Sequence, residues 1–174
     1  MPVIRQVAQL GNDILRKTAN KVKDITSPSI QLLIEDMLAT LSDANGVGIA
    51  APQVYEPLQI FIMASDPNPR YPDAPEMEPT AIVNPKILMT SDEMEKGWEG
   101  CLSVPGIRGL VPRHKRIGVK YTTVEGTTKE QEFSDFLARL FQHEYDHLNG
   151  RAFLDRLEST KDIITEKEFQ KRIT

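Results

Sequence analysis

Two histidines four residues apart, inside an apolar pattern typical of a buried helix, constrain this fold more than any other feature. Residues 142–147 read Gln-His-Glu-Tyr-Asp-His. Positions i and i+4 share one helix face, so the imidazoles of His143 and His147 can reach the same metal ion. Glu144, next to the first histidine, can then transfer protons for a metal-bound water. The pattern predicts a hydrolase whose chain packs around a metal-bearing helix.

Length and composition predict a single catalytic domain over residues 1–174, with a peripheral tail from about residue 159. The net charge of −4 gives no basis for bulk electrostatic binding of nucleic acid. No apolar stretch approaches the roughly 18 residues that a membrane span needs, and the first residues lack the layout of a signal peptide. We expect a monomer without a nucleic-acid or membrane partner, located in the cytoplasm or present as a mature organellar form.

Apolar periodicity predicts an α+β fold. Helices are expected at residues 27–42 and 134–150, and the second of these carries both histidines. A proline-rich surface loop is expected at residues 66–79. Strands are expected at residues 58–63, 81–89, 116–124, 129–133 and 152–157. We predict antiparallel or mixed sheets packed around the central helix that carries the metal motif.

A metal held by two histidines needs a third protein ligand, and three sources were compared. The metzincin pattern requires a histidine at position 153, which is occupied by Phe153. A thermolysin-like site would use a glutamate about twenty residues downstream, either Glu166 or Glu168. Cys101, the only cysteine, offers a thiolate, which is a strong donor for a borderline-soft divalent ion. Spacing excludes the first source and leaves the other two open.

Three segments match motifs of the peptide deformylase family, in the family's order. Residues 46–53 read Gly-Val-Gly-Ile-Ala-Ala-Pro-Gln, residues 99–103 read Glu-Gly-Cys-Leu-Ser, and residues 142–148 read Gln-His-Glu-Tyr-Asp-His-Leu. The chain thus resembles that family over roughly residues 10–157. The resemblance implies one divalent metal ion, Fe²⁺ in the cell, with Zn²⁺, Ni²⁺ or Co²⁺ able to replace it. The implied ligands are Cys101, His143 and His147.

The resemblance also implies an activity and a mechanism. The substrate would be the N-formylmethionyl end of a nascent protein, which places the enzyme transiently near the ribosome, and the product would be formate. Metal-bound hydroxide would attack the formyl carbon, with Glu144 as general base and then general acid. The backbone N–H of Leu102 and the side-chain amide of Gln53 would stabilise the negative charge that develops on the formyl oxygen.

Five further residues are assigned to substrate binding by the same resemblance. Val47, Phe136 and Leu140 would line an apolar pocket for the methionine side chain. Gly48 would allow strand-like pairing with the peptide backbone, which suits an enzyme that processes many sequences. Arg108 would lie near the outer end of the peptide.

Two charged residues are implied to form a buried pair, Glu99 with Arg113, that supports the loop carrying the cysteine. Arg139, one helical turn before the first histidine, is not dictated by the motifs. It either points away from the methionine pocket or narrows it. A non-catalytic module that binds metal or formyl-peptides is the alternative from a different functional class, and release of formate by the wild-type chain distinguishes the two.

Overall fold

The computed structural model describes residues 1–174 and places the predicted histidine helix at the centre of the fold. This helix, α2 (Asp135–Leu148), buries one apolar face that includes Ala138, Leu140 and Phe141. The ring of Phe141 packs edge-on against Phe61, with centroids 5.1 Å apart. A helix buried in this way keeps its polar residues only where they find partners or perform chemistry. No helix in the structure has the length and apolar character that crossing a membrane would require.

Eight strands form two antiparallel sheets. The strands are β1 (Gly48–Ala50), β2 (Ile60–Ser65), β3 (Met77–Thr90), β4 (Met94–Cys101), β5 (Val104–His114), β6 (Arg116–Thr122), β7 (Thr128–Ser134) and β8 (Ile163–Thr165). The larger sheet has the order β1-β2-β3-β6-β7, and the smaller has the order β4-β5-β8. This arrangement around α2 confirms the predicted α+β class.

The larger sheet is covered by a helix on each face. Along β2, Phe61 and Met63 point into the cluster beneath α2, while Ile60 and Ile62 point into a second cluster. That second cluster lies against α1 (Pro28–Asp43), the other predicted long helix. A strand buried on both faces loses the polar–apolar alternation, which explains why β2 reads as a continuous apolar run.

The β4–β5 hairpin was not predicted as strand, although the motif cysteine lies at its tip. The chain reverses at Leu102 and Ser103, between the paired residues Cys101 and Val104. Gly106 lies beyond this turn, within β5, with a φ of +82°. That backbone conformation favours glycine.

Two expectations for the end of the chain differ from the structure. The strand predicted at residues 152–157 is wrong: Phe153–Arg156 form a 3₁₀ helix, because the Asp155 carboxylate accepts a hydrogen bond from the Ala152 N–H and closes a local turn. The tail is more closely integrated than a peripheral segment. Its strand β8 pairs with β5, and α3 (Glu166–Ile173) buries Phe169 to 2% exposure.

Candidate metal centre and active site

The side chains of Cys101, His143 and His147 converge at one point. Their ligand atoms all lie within 4.8 Å of one another, and the Cys101 Sγ is 3.3 Å from the His147 Nε2. The helix α2 supplies both imidazoles and the end of β4 supplies the sulfur. The alternative glutamates are not part of this cluster, since Glu166 pairs with Arg108 and Glu168 with Lys171. The geometry therefore favours Cys101 as the third donor.

The donors are chemically suited to a divalent transition metal. The Nδ1 of His143 lies 2.9 Å from the Glu99 carboxylate, which leaves its Nε2 free to ligate. The buried Nδ1 of His147 has no hydrogen-bond partner. Burial opposes ionisation of the Cys101 thiol, but the nearby rings of His147 and His143 outweigh it and hold its pKa well below the usual value. A thiolate with two imidazoles is a ligand set that Zn²⁺ and other borderline ions accept.

A buried network of charges supports His143 from behind. Arg113 donates to both oxygens of Glu99, at 2.9 and 3.0 Å, and to Asp146 at 2.6 Å. Arg156 donates two further hydrogen bonds to Asp146. Burial would raise the pKa of Glu99, but Arg113 outweighs that effect and keeps the carboxyl ionised. The expected Glu99–Arg113 pair is present, and it extends to Asp146, which sequence reasoning did not identify.

Glu144 lies buried beside the three candidate metal ligands, facing the backbone of Gly48. Burial raises the pKa of Glu144 to about 7, and its Oε2 has no hydrogen-bond partner. A Cβ on Gly48 would overlap the Glu144 carboxylate and approach the Leu140 Cδ1 to 2.9 Å. Only glycine therefore lets the edge of β1 run this close to the carboxylate. A carboxyl group with a free oxygen and a pKa near neutrality is suited to exchanging protons.

Gln53 is fixed next to the cysteine by three hydrogen bonds. Its Nε2 donates to the Ser103 Oγ at 3.0 Å and to the Cys101 Sγ at 3.4 Å, while its Oε1 accepts from the Ala50 N–H. Ser103 is 1% exposed and was not singled out from the sequence, although it belongs to the Glu-Gly-Cys-Leu-Ser segment. Leu102 lies in the turn between Cys101 and Ser103 and lines a cleft beside them.

A cleft of about 150 Å³ opens beside the three candidate ligands. The five residues assigned to substrate binding all line it: Val47, Gly48, Phe136, Leu140 and Arg108. Several further lining residues were not assigned to substrate binding from the sequence, among them Tyr71, Arg70 and Glu166. Tyr71 packs on the Phe136 ring with centroids 4.7 Å apart, Arg70 lies beside it, and Glu166 reaches the cleft from the tail.

Arg139 forms part of the wall of this cleft. Its guanidinium donates to the Glu99 carboxylate at 3.0 Å and to the carbonyl oxygens of Val111 and Glu95 at 2.8 and 2.6 Å. A Cβ on Gly97 would come within 2.7 Å of the guanidinium carbon, so the glycine provides the space. Of the two outcomes left open by the sequence, the structure shows Arg139 bordering the cleft.

The polypeptide deformylase family model matches residues 4–162. The chain belongs to the peptide deformylase family. It is 57% identical to peptide deformylase 2 of Nostoc sp. over 99% of this chain and 97% of that relative, and 46% identical to peptide deformylase 2 of Shewanella oneidensis over 93% and 89%. Its fold matches a class I type b peptide deformylase of Acinetobacter baumannii, bound to Met-Ala-Ser, with a TM-score of 0.88 and 50% identity over 90% of this chain and all of that one.

Family membership establishes the activity. The chain is a metal-dependent enzyme that removes the N-terminal formyl group from nascent peptides. The possible metal site formed by Cys101, His143 and His147 agrees with this activity.

Proposed function

We propose that Cys101, His143 and His147 hold the catalytic metal of the deformylation reaction and that Glu144 handles its protons. One observation carries this assignment: three ligand atoms lie within 4.8 Å of one another, next to a buried carboxyl group with an unpartnered oxygen. A divalent ion bound there supplies Lewis acidity, which lowers the pKa of water and polarises a carbonyl group. Glu99 and Arg113 support the site by holding the His143 ring in a fixed orientation.

Glu144 acts first as base and then as acid. It accepts a proton from the water that adds to the formyl carbon, and returns it to the methionine nitrogen as the C–N bond breaks. Formate and a free amino terminus are the products. Burial raises the pKa of Glu144, which makes its carboxylate a stronger base than that of an exposed glutamate.

Gln53 and Leu102 stabilise the charge on the formyl oxygen. Ser103 and Ala50 orient the Gln53 amide, and the N–H that points to the Cys101 Sγ is the one that would turn to the formyl oxygen. The backbone N–H of Leu102 supplies the second donor from the adjoining turn. Losing one such donor typically costs about 3–4 kcal/mol of transition-state stabilisation. Ser103 contributes by positioning the Gln53 side chain.

The cleft selects an extended peptide that begins with methionine. Val47, Phe136 and Leu140 provide apolar walls beside the metal ligands, suited to the methionine side chain. β1 is an edge strand with β2 on one side only, so its backbone at Gly48 is available to pair with the peptide. Arg108 borders the outer end of the cleft. The bound Met-Ala-Ser of the Acinetobacter baumannii relative supports a site for three residues.

We further propose Fe²⁺ as the native metal, although the ligand set also suits Zn²⁺ and leaves room for Ni²⁺ or Co²⁺. The protein is proposed to act as a monomer, with residues 1–174 forming one catalytic domain. The bacterial relatives support a cytoplasmic location, where formylated nascent chains emerge from ribosomes. Neither nucleic acid nor a membrane is required as a partner.

Two substitutions test the assignment on protein purified anaerobically, with metal analysis and a formate assay on formyl-Met-Ala-Ser. Glu144→Gln should retain the metal and lose about 10²–10⁴-fold in formate release, the range associated with general acid–base catalysis. Cys101→Ala should lose most of the metal. Glu168→Gln, on the exposed face of α3, is the control and should resemble the wild type. Full metal content in Cys101→Ala, or full activity in Glu144→Gln, would contradict the assignment.

A further inference from the structure

The C-terminal segment builds the outer end of the peptide cleft around one buried arginine. The Arg108 side chain is only 6% exposed, and its guanidinium lies 4.5 Å from the centre of the Phe169 ring. Its Nε donates to the Glu166 carboxylate at 2.6 Å. Arg108 also lies against the backbone at Gly100, where a Cβ would come within 2.8 Å of the guanidinium. The arginine is thus held by α3 on one side and by β4 on the other.

Glu166 is the acidic group that faces this arginine. Both residues line the cleft, and Glu166 remains 37% exposed, so a bound peptide can approach it. Arg70, from the loop before β3, lines the same cleft and carries a second positive charge. The other acidic lining residues are engaged deeper in the site: Glu99 by Arg113, and Glu144 beside the metal ligands.

The Glu166 carboxylate is held ionised and in a fixed position. Its Oε2 accepts from Arg108, and its Oε1 accepts from Gln170 at 2.6 Å. Burial would raise the pKa of Glu166, but Gln170 and Arg108 outweigh it, so the pKa lies below the usual value. The outer end of the cleft therefore contains a matched pair of charges with one arginine beside it.

We propose that Glu166 is a specificity-determining residue, which neutralises Arg108 so that acidic side chains at the third substrate residue gain no advantage. The inference rests on the proposed path of the peptide from Gly48 towards Arg108. Without Glu166, two arginines would face the outer residues of the peptide with no opposing charge. An enzyme acting on many nascent chains would then favour those with an acidic third residue.

The expected size of the effect follows from the geometry of a partly exposed site. One unit charge a few ångströms beyond contact, partly screened by solvent, changes affinity by about two- to fivefold. Removing the negative charge of Glu166 strengthens the binding of a peptide with an acidic third residue and weakens the binding of one with a basic third residue. The two effects multiply, so the preference for acid over base should change by about four- to twenty-five-fold. The change should shrink at high salt because the site is open to solvent.

The experiment compares kcat/KM of the metal-loaded, full-length enzyme for three amidated peptides: formyl-Met-Ala-Ser, formyl-Met-Ala-Glu and formyl-Met-Ala-Lys. The amide removes the terminal carboxylate, so only the third side chain differs in charge. In Glu166→Gln the ratio of kcat/KM for the Glu peptide to that for the Lys peptide should rise by about four- to twenty-five-fold over the wild type. Glu168→Gln removes the same charge from the same helix outside the cleft and should leave the ratio unchanged. Glu166→Asp, which keeps the charge, should stay near the wild-type ratio.

Other outcomes overturn the inference. An equal loss for all three peptides would show that Glu166 only anchors α3, and equal shifts in Glu166→Gln and Glu168→Gln would show an effect of net charge. Binding of the product peptides Met-Ala-Glu and Met-Ala-Lys, measured by calorimetry, gives a second readout that does not require turnover. If the wild type releases no formate even from formyl-Met-Ala-Ser, the proposed function fails and this inference with it.

Discussion

Replacing Arg113 with methionine tests how much the buried charge network beside the metal centre contributes to the free energy of unfolding. Arg113 makes three charge-assisted hydrogen bonds, two to Glu99 and one to Asp146, and all three side chains are at most 5% exposed. Arg113→Met removes the cation but leaves both carboxylates buried. Removing one partner of a buried ion pair typically costs about 3–5 kcal/mol, mainly because the remaining charge stays desolvated.

Two neighbouring arginines determine where the loss of stability should fall within this range of about 3–5 kcal/mol. Arg139 continues to donate to Glu99, and Arg156 continues to donate two hydrogen bonds to Asp146. Each carboxylate thus keeps one cationic partner, so we expect the lower half of the range, about 3–4 kcal/mol. For a domain of typical stability, about 5–15 kcal/mol, this is a large fraction of the free energy of unfolding.

The assay is urea unfolding at fixed metal concentration and pH 7, followed by tryptophan fluorescence and far-ultraviolet circular dichroism. The midpoint should fall with little change in the slope, because the surface exposed on unfolding is unchanged. Lys115→Met removes a cation from an exposed pair with Glu93 and should leave the midpoint unchanged. The reasoning is refuted if Arg113→Met unfolds at the same urea concentration as Lys115→Met.

Three further substitutions probe other parts of the molecule. Gly48→Ala should lower kcat/KM on formyl-Met-Ala-Ser by at least about tenfold with the metal retained, because the methyl group displaces the Glu144 carboxylate; unchanged kinetics would show that the cleft adapts. Arg139→Ala should raise the rate for formyl-Phe-Ala-Ser relative to formyl-Met-Ala-Ser, since a wall of the cleft is shortened; a constant ratio would place Arg139 outside the methionine pocket. Hydrogen bonds from the Val3 N–H and then Arg5 outweigh burial and hold the pKa of Asp36 below its usual 3.8. Its contribution to stability is therefore present above pH 4 and lost as the pH falls below that value. Asp36→Asn has no such contribution to lose on acidification. Between pH 5 and pH 2.5 its Tm should therefore fall by less than the Tm of the wild type.

The central helix was predictable because its signals are local. An apolar stripe and two histidines in i and i+4 positions lie within one stretch of sequence, and the helix formed there. The strand β2 was predictable for a similar reason, since burial on both faces leaves a run of apolar residues. The three motif segments also lie together around one cleft. Their proximity was implied by the family resemblance and could not be read from spacing alone.

The β4–β5 hairpin and the tail were missed because long-range pairing decides them. β4 contains Lys96, Gly97 and Glu99, so its sequence carries little alternation, and its register depends on β5 and on the Arg113 ion pair. The tail is rich in charge, which suggested a solvated segment. Phe169 is nevertheless buried beside Trp98 and Arg108, a long-range contact that no local sequence pattern predicts.

The pairing of β8 with β5 makes the cleft depend on the last part of the chain. All three candidate metal donors precede residue 148, whereas β8 and Glu166 follow residue 162. A chain shortened before β8 would therefore keep every candidate ligand but lose Glu166 from the wall of its cleft. Metal binding and the charge of the substrate cleft thus rest on different segments, and a change at the C-terminus can alter the second without removing a ligand of the first.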